Sequence, residues 1–323
     1  MNACLVRKID SQMYYVLGTT AKFTVYGDVS EAVAQKSFKD AAEKLFELDD
    51  KMSYFKDYSE VSKINRLAGK GFHETDHDTF YVLASAKRFA FMSGGAMDPT
   101  VRPLINIWNR YSQEGGVPSK EEIQSARSLV DFRNIAIREN CIGLEKAGQE
   151  IDLGSIAKGF AADQVKAIFE ANGISSAIID LGGNIVAMGS DPNSEEPQTP
   201  WAIGIINPFG RRSDMLGHVK VVGKSVVTSA GYEKYHHIID TRTGYPVENE
   251  LSSVTIVSDK SIDGDAISTA AFVMGLRDGM EFVKSLEGID AVFVTNDRSV
   301  YITRRLLDGF RLSDPTFRMG ELK

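Results

Sequence analysis

Cysteine is almost missing from this chain: 323 residues hold only Cys4 and Cys141, which lie far apart in sequence. Neither a disulfide framework nor a cysteine metal site is expected. Long apolar runs are missing as well, and none approaches the roughly 18 residues that a membrane helix needs. There is no excess of positive charge. The 37 Lys and Arg against 44 Asp and Glu leave a net charge of −7, which argues against general nucleic-acid binding. The opening residues, MNACLVRKID, lack the apolar core of a signal peptide. As written, the chain is expected in the cytoplasm. An exported or lipid-anchored protein with its signal trimmed would read the same way, and Cys4 near the start fits a clipped lipoprotein.

What is present describes a soluble globular protein, with 43% hydrophobic and 25% charged residues. The length suits one large domain or two ordinary ones.

The richest stretch is 151–189, IDLGSIAKGFAADQVKAIFEANGISSAIIDLGGNIVAMG. A short apolar run ends at Asp152, and Gly154 and Ser155 open a helical pattern. Ile156, Ala157, Phe160, Ala161, Val165, Ile168 and Phe169 fall on one broad face, and Gly173 suits a helix C′ position. A second apolar run, 177–179, leads into Asp180-Leu181-Gly182-Gly183-Asn184. Two strand ends thus flank a helix start, each bringing a carboxylate beside glycines. Free N–H groups at a helix N-terminus suit a phosphate, and Lys158 adds positive charge there. An ordinary helix with glycine turns fits the spacing equally well. The glycine spacing matches neither a P-loop nor a dinucleotide fingerprint.

Elsewhere, strands are expected within 13–27. A helix capped by Ser30 should run to about residue 51, with Ala34, Phe38, Ala41, Leu45 and Leu48 inside. A short helix should carry Ile64 and Leu67. The segment His73 to His77 matches HExxH, but Asp76 reads as the N-cap of the next helix, so the two histidines straddle a boundary and a zinc site is not expected. Asp98 sits in a turn between two helical segments. Ser119 and Glu122 form a capping box, and 131–144 reads as a strand pair. A polar loop covers 190–200. Strands are expected at 201–206, 219–227 and 253–257, with a turn region at 208–217. If 236–240 is a strand, His236 and His237 face opposite ways. A helix beginning at Ala266 places Asp265 and Thr269 one turn apart, a carboxylate and hydroxyl suited to Mg²⁺. Taken alone, Asp265 is better explained as an N-terminal Asp favoured by the helix dipole. The strand–glycine–helix–strand arrangement of 151–189 recurs loosely at 236–300, which would fit an internal duplication.

In order along the chain, these motifs resemble the ApbE family of FAD:protein FMN transferases. The matching pieces are Leu17-Gly18-Thr19-Thr20, the 52–65 segment with its Ser-Glu pair, and Ala96-Met97-Asp98-Pro99-Thr100. They continue with IDLGSIAKGFAAD, DLGGNI, HHIIDTRTGYP and DGDAISTAAFVMG. The resemblance implies an α+β fold of mixed sheets and flanking helices around a central FAD cleft. It implies one domain over 1–323, with two interleaved α+β subdomains as the variant. It also implies an enzyme that cleaves FAD, moves FMN to a protein threonine and releases AMP. Mg²⁺ would be held by the Ser155 carbonyl with Asp265 and Thr269. FAD contacts would fall on Leu17, Phe55, Ala96, Met97, Asp98, Asp152, Lys158 and Ile239. His237 would be the base that activates the acceptor hydroxyl. The chain departs from the family pattern at Thr241, Ala230, Met97 and Leu17, none of which is a proposed metal ligand or base.

Phosphoryl-type transfer needs charge neutralisation and an oriented nucleophile more than covalent chemistry, which suits Mg²⁺, Lys158 and a histidine base. Two other functions use the same residues differently. With water as nucleophile the site would be an FAD pyrophosphatase giving FMN and AMP. Without turnover the chain would be a flavin-binding protein, although a carrier needs no metal and base. The implied partner is an acceptor flavoprotein of the respiratory or redox class; oligomeric state is left open by the sequence.

Overall fold

The computed structural model describes residues 7–193, 198–231 and 238–321. Two short strands and a longer one open it, β1 (Lys8–Asp10), β2 (Tyr14–Val16) and β3 (Thr19–Tyr26). The long helix α1 (Glu31–Met52) follows, with the Ser30 side chain accepting from the Val33 N–H as its cap. Next come α2 (Glu60–Arg66), β4 (Phe72–Glu74), α3 (His77–Met92), α4 (Arg102–Glu114) and α5 (Lys120–Arg127). The other two expected caps are present as well: Asp76 starts α3, and the Ser119–Glu122 capping box starts α5. His73 therefore lies in a strand and His77 is the first residue of a helix, so HExxH is not a helical zinc motif here.

The strands β5 (Ile135–Arg138) and β6 (Cys141–Leu144) pair with each other, and β6 pairs with β4. Helix α6 (Ala157–Ala171) then leads into the hairpin β7 (Ala177–Leu181) and β8 (Asn184–Met188). Strands β9 (Trp201–Ile206), β10 (Met215–Val221) and β11 (Lys224–Ala230) follow. A strand expected over 219–227 is thus two strands. Gly223 turns the chain at φ 62° between them, and part of the expected 208–217 turn is already β10. The two halves serve different sheets.

Beyond the two-residue strands β12 (Ile239–Asp240) and β13 (Tyr245–Pro246), β14 (Leu251–Ser258) leads into α7 (Ser261–Met274) and α8 (Leu276–Lys284). The chain ends with β15 (Asp290–Thr295), β16 (Ser299–Ile302), β17 (Phe310–Leu312) and β18 (Arg318–Met319). The main sheet runs β1-β3-β7-β8-β11-β14-β15-β16-β18, with β2 hydrogen-bonded to β3. Among the described residues, its only parallel pairing is β16–β18. This is an α+β fold, because the sheet is antiparallel where a βαβ fold would be parallel.

Layering follows from strand alternation. On β15, Ala291 and Phe293 join the helix-side core, whereas Val292 and Val294 join a second core against β17-β10-β9. Side chains on a strand alternate faces, so a strand covered on both sides is buried along its whole length. Every residue of β14 is buried, as that requires.

Helices α6 and α7 lie together on the helix side. The predicted face of α6 is the buried one, and Gly173 follows its C-cap Asn172 at φ 78°. Helix α7 is buried almost all round, as a central helix should be. The two meet at Gly159: a Cβ there would lie 2.3 Å from the Ser261 carbonyl oxygen and 2.7 Å from Ile262 Cα. Only glycine permits that approach. Gly159→Ala is expected to cost about 1–3 kcal/mol of stability through overpacking, read as a lower urea midpoint; an unchanged midpoint would show that the crossing is not close-packed.

Candidate functional site

Helix α7 has no side-chain cap of its own on Lys260. Its first N–H groups are taken instead by Asp163 of α6, whose two carboxylate oxygens accept from Ser261 N at 2.8 Å and Ile262 N at 3.0 Å. Free N–H groups and the helix dipole favour a carboxylate there. One turn further on, the exchange is reversed. Asp265 of α7, 3% exposed, accepts from the Gly159 N–H near the start of α6 at 2.8 Å. Asp265 is thus the fifth residue of its helix and caps a neighbour, which corrects the reading of a helix that begins at Ala266 with an N-terminal Asp.

The anion expected at the start of α6 is therefore supplied from inside the protein. Lys158 sits 3.5 Å from the other oxygen of Asp265 and donates to the Gly154 carbonyl at 2.6 Å. Thr269 follows one turn along α7, its hydroxyl 3.4 Å from the Asp265 carbonyl oxygen and 3.3 Å from the Ser229 hydroxyl of β11. Ser155 lies in the turn just before α6.

Asp152 opens that turn but is not a strand end, another correction. Segment 151–153 lies outside any sheet, because its backbone partners are the Asn65 side chain, bonded twice to Ile151, and the Pro99 carbonyl, which accepts from Asp152 N. The Asp152 carboxylate accepts from Gly154 N at 2.7 Å and from Arg102 of α4 at 3.2 Å.

The remaining expected residues connect to this turn through short contacts. The Arg102 guanidinium lies 3.4 Å from the Tyr54 ring centroid, and Tyr54 packs on Phe55 at 3.9 Å. Phe55 is 76% exposed, an aromatic face open to a ligand. Lys56 bonds both Asp49 and Asp50. Burial opposes its charge, yet these two carboxylates hold its ammonium above the usual lysine range. Asp49 also accepts from the Leu17 N–H at 3.2 Å, where Leu17 adopts φ 53°.

Ala96, Met97 and Asp98 form a buried turn. Asp98 accepts from Thr100 N, the Thr100 hydroxyl and Phe132 N, but burial still raises its carboxyl above the ordinary range. Met97 is 1% exposed, so its side chain belongs to the core and only its backbone is available to a ligand. Buried Ile239 is tied to the same turn because the Thr241 hydroxyl donates to the Gly95 carbonyl. His237 lies outside the described residues.

Sequence reasoning missed Arg102, Tyr54, Asp49 and Asp163. Arg102 and Asp152 are fifty positions apart, and no local spacing signals their contact. Among the described residues, no group of three His, Cys, Asp or Glu is placed to hold a metal. The expected donors for Mg²⁺ include just one carboxylate, joined by a hydroxyl and a carbonyl. These are hard oxygen donors of the kind Mg²⁺ takes, and Asp265 already has a cation, the Lys158 ammonium, at its free oxygen.

The ApbE family profile matches residues 17–293. The chain belongs to the ApbE family. The FAD:protein FMN transferase of Treponema pallidum (strain Nichols) is 32% identical over 326 aligned positions, covering 95% of this chain and 90% of that protein. The FAD:protein FMN transferase of Klebsiella pneumoniae (strain 342) is 32% identical over 276 positions, covering 81% and 84%. Among solved structures, the ApbE protein from Thermotoga maritima superposes with a TM-score of 0.84 at 28% identity, covering 94% of this chain and all of that one. The flavin transferase ApbE from Vibrio cholerae gives 0.78 at 25% identity, covering 97% and 98%. In this ApbE-family chain the α6–α7 crossing thus joins Lys158, Asp265 and Thr269, three residues that the family resemblance singles out.

Asp163 carries a pH signature. Burial pushes its carboxyl up to about 6 from 3.8, against the two backbone N–H bonds that favour its ionised form. The folded state therefore binds this proton more tightly than the unfolded state. Its stabilising contribution is complete below about pH 4 and is lost as pH rises through about 6, by about 3 kcal/mol in all. In urea titrations between pH 4 and 7, Asp163→Asn should lack this loss. Parallel curves for the two proteins would refute the assignment.

Proposed function

We propose that this protein transfers FMN from FAD to a threonine hydroxyl of an acceptor flavoprotein, with Mg²⁺, and releases AMP. The observation that carries this reading is the crossing of α6 and α7, where Asp265, Thr269 and Lys158 meet beside the 152–155 turn. Family membership supplies the reaction, and this geometry supplies groups suited to it.

In the reaction the threonine oxygen attacks the FMN phosphorus. The bond from that phosphorus to the oxygen bridging to AMP breaks, and AMP leaves with the bridging oxygen. The threonine proton passes to a base, for which we propose His237. Mg²⁺ held by Asp265, Thr269 and the Ser155 carbonyl would neutralise phosphate charge as the bridge breaks. Lys158, already bonded to Gly154, adds a fixed positive charge beside that turn. Phe55 offers an exposed ring on which an aromatic ring of FAD can stack. Leu17, Ala96, Met97, Asp98, Asp152 and Ile239 complete the proposed FAD wall, Met97 through its backbone. We also read 1–323 as one domain; in support, a single hydrophobic cluster draws residues from Ile9 to Phe293.

The test is incubation of the protein with FAD, Mg²⁺ and a threonine-containing acceptor peptide, followed by intact mass and by AMP and FMN release. The expected result is an FMN-sized mass gain with stoichiometric AMP, both lost in EDTA. Free FMN and AMP with an unchanged acceptor, across a panel of acceptors, would instead mean that water is the nucleophile. Asp265→Ala should lower turnover by about a hundredfold or more, as removal of a preorganised electrostatic group does. Full activity in that variant would sink the metal assignment.

A further inference from the structure

Two cations are bonded into the 152–155 turn, and the proposed chemistry uses only one of them. Lys158 grips its Gly154 carbonyl from α6. Arg102 grips its Asp152 carboxylate from the first residue of α4, with the two side chains 12% and 10% exposed. Asp152 in turn accepts from Gly154 N, so the sequence Arg102–Asp152–Gly154–Lys158–Asp265 is one continuous run of polar contacts. The guanidinium carbon also sits over the Tyr54 ring, 3.4 Å from its centroid, and 5.9 Å from that of the exposed Phe55.

An arginine has five N–H donors in a rigid fork. Asp152 engages one nitrogen, and the Tyr54 ring covers one face. The rest of the fork has no hydrogen-bonded carbonyl or carboxylate among the described residues. A largely buried cation with spare donors, fixed on one face by a ring and on one edge by a carboxylate, is preorganised for an oxyanion. Guanidinium geometry suits phosphate in particular.

We propose that Arg102 is a phosphate-binding residue of the FAD site, the counterpart of Lys158 across the 152–155 turn. The inference rests on the flavin-transfer reading and adds a contact to the pyrophosphate. Tyr54 and Asp152 orient the guanidinium, and the pyrophosphate takes its free N–H donors. This residue raises affinity for the diphosphate half of the substrate and leaves recognition of the nucleoside unchanged.

The experiment is calorimetric titration of the full chain with FAD, ADP and adenosine, all in EDTA so that no metal contributes. In Arg102→Gln, affinity for ADP and FAD should fall about tenfold or more, the scale of one charge-assisted contact. Affinity for adenosine should stay as in the wild type. Should that variant fail to fold with Asp152 left unpaired, R102Q/D152N compared with D152N removes the stranded charge. Losing a carboxylate by itself favours an anion, so a lower ADP-to-adenosine affinity ratio in the double variant still reports Arg102. Equal ratios with and without Arg102, or parallel losses for ADP and adenosine, would overturn the inference and assign the residue to the scaffold. Wild-type protein that binds adenosine and ADP but not FAD would overturn the flavin reading instead.

Discussion

The close approach of two helices at Gly159 is the constraint on which the rest of the site depends. Helix α7 reaches α6 so closely that a single methyl group would collide with the Ser261 carbonyl. At that separation each helix supplies a carboxylate to the other's backbone: Asp163 to the start of α7, Asp265 to the first turn of α6. Both carboxylates meet N–H groups that their own helices cannot satisfy, so the crossing is at once a packing contact and an electrostatic one. Were the helices set one side chain further apart, neither bond would form. Asp265 would then be a buried charge without a backbone partner, which is costly.

Charge at the site is arranged as a relay and not as a cluster. Arg102, Asp152, the Gly154 backbone, Lys158 and Asp265 alternate in sign along the 152–155 turn. Buried acids and bases are tolerated where each has a partner of the opposite sign, and here the partners come from α4, the turn, α6 and α7. The turn itself is kept out of the sheet by the Asn65 side chain and the Pro99 carbonyl. Freed from a ladder, its carbonyl and carboxylate groups are available for bonds with charged side chains. A backbone held by side chains in this way keeps its shape without the regularity of a strand, and it suits a place where phosphate oxygens must come close to the chain.

The sheet explains how α7 is held in place. With helices on one face and the β17-β10-β9 sheet on the other, β14 is buried along its whole length and β15 over all but its first residue. Close-packed layers above and below leave α7 little room to shift. Its position, and therefore that of Asp265 and Thr269, is set by contacts along most of its length.

Local chemistry made much of this legible from sequence alone. The caps Ser30, Asp76 and Ser119, the apolar face of α6 and the glycine at 173 depend on residues within one or two turns, and each is where the spacing puts it. The pairing of Asp265 with Thr269 is likewise a property of one helix. Other features came only with the tertiary structure. The split of 219–227 at Gly223 follows from its two halves belonging to different sheets, which a continuous apolar pattern conceals. The start of α7 at Ser261 depends on a cap donated by Asp163, about a hundred residues earlier, and the Arg102–Asp152 pair spans fifty. The sequence by itself determined the locally capped helices α1, α3 and α5, the apolar face of α6 and the family motifs, because those are short-range matters of periodicity and hydrogen-bond geometry. Which carboxylate meets which N–H, and which cation faces the turn, was decided only when the helices crossed, because those bonds join groups that the chain holds far apart.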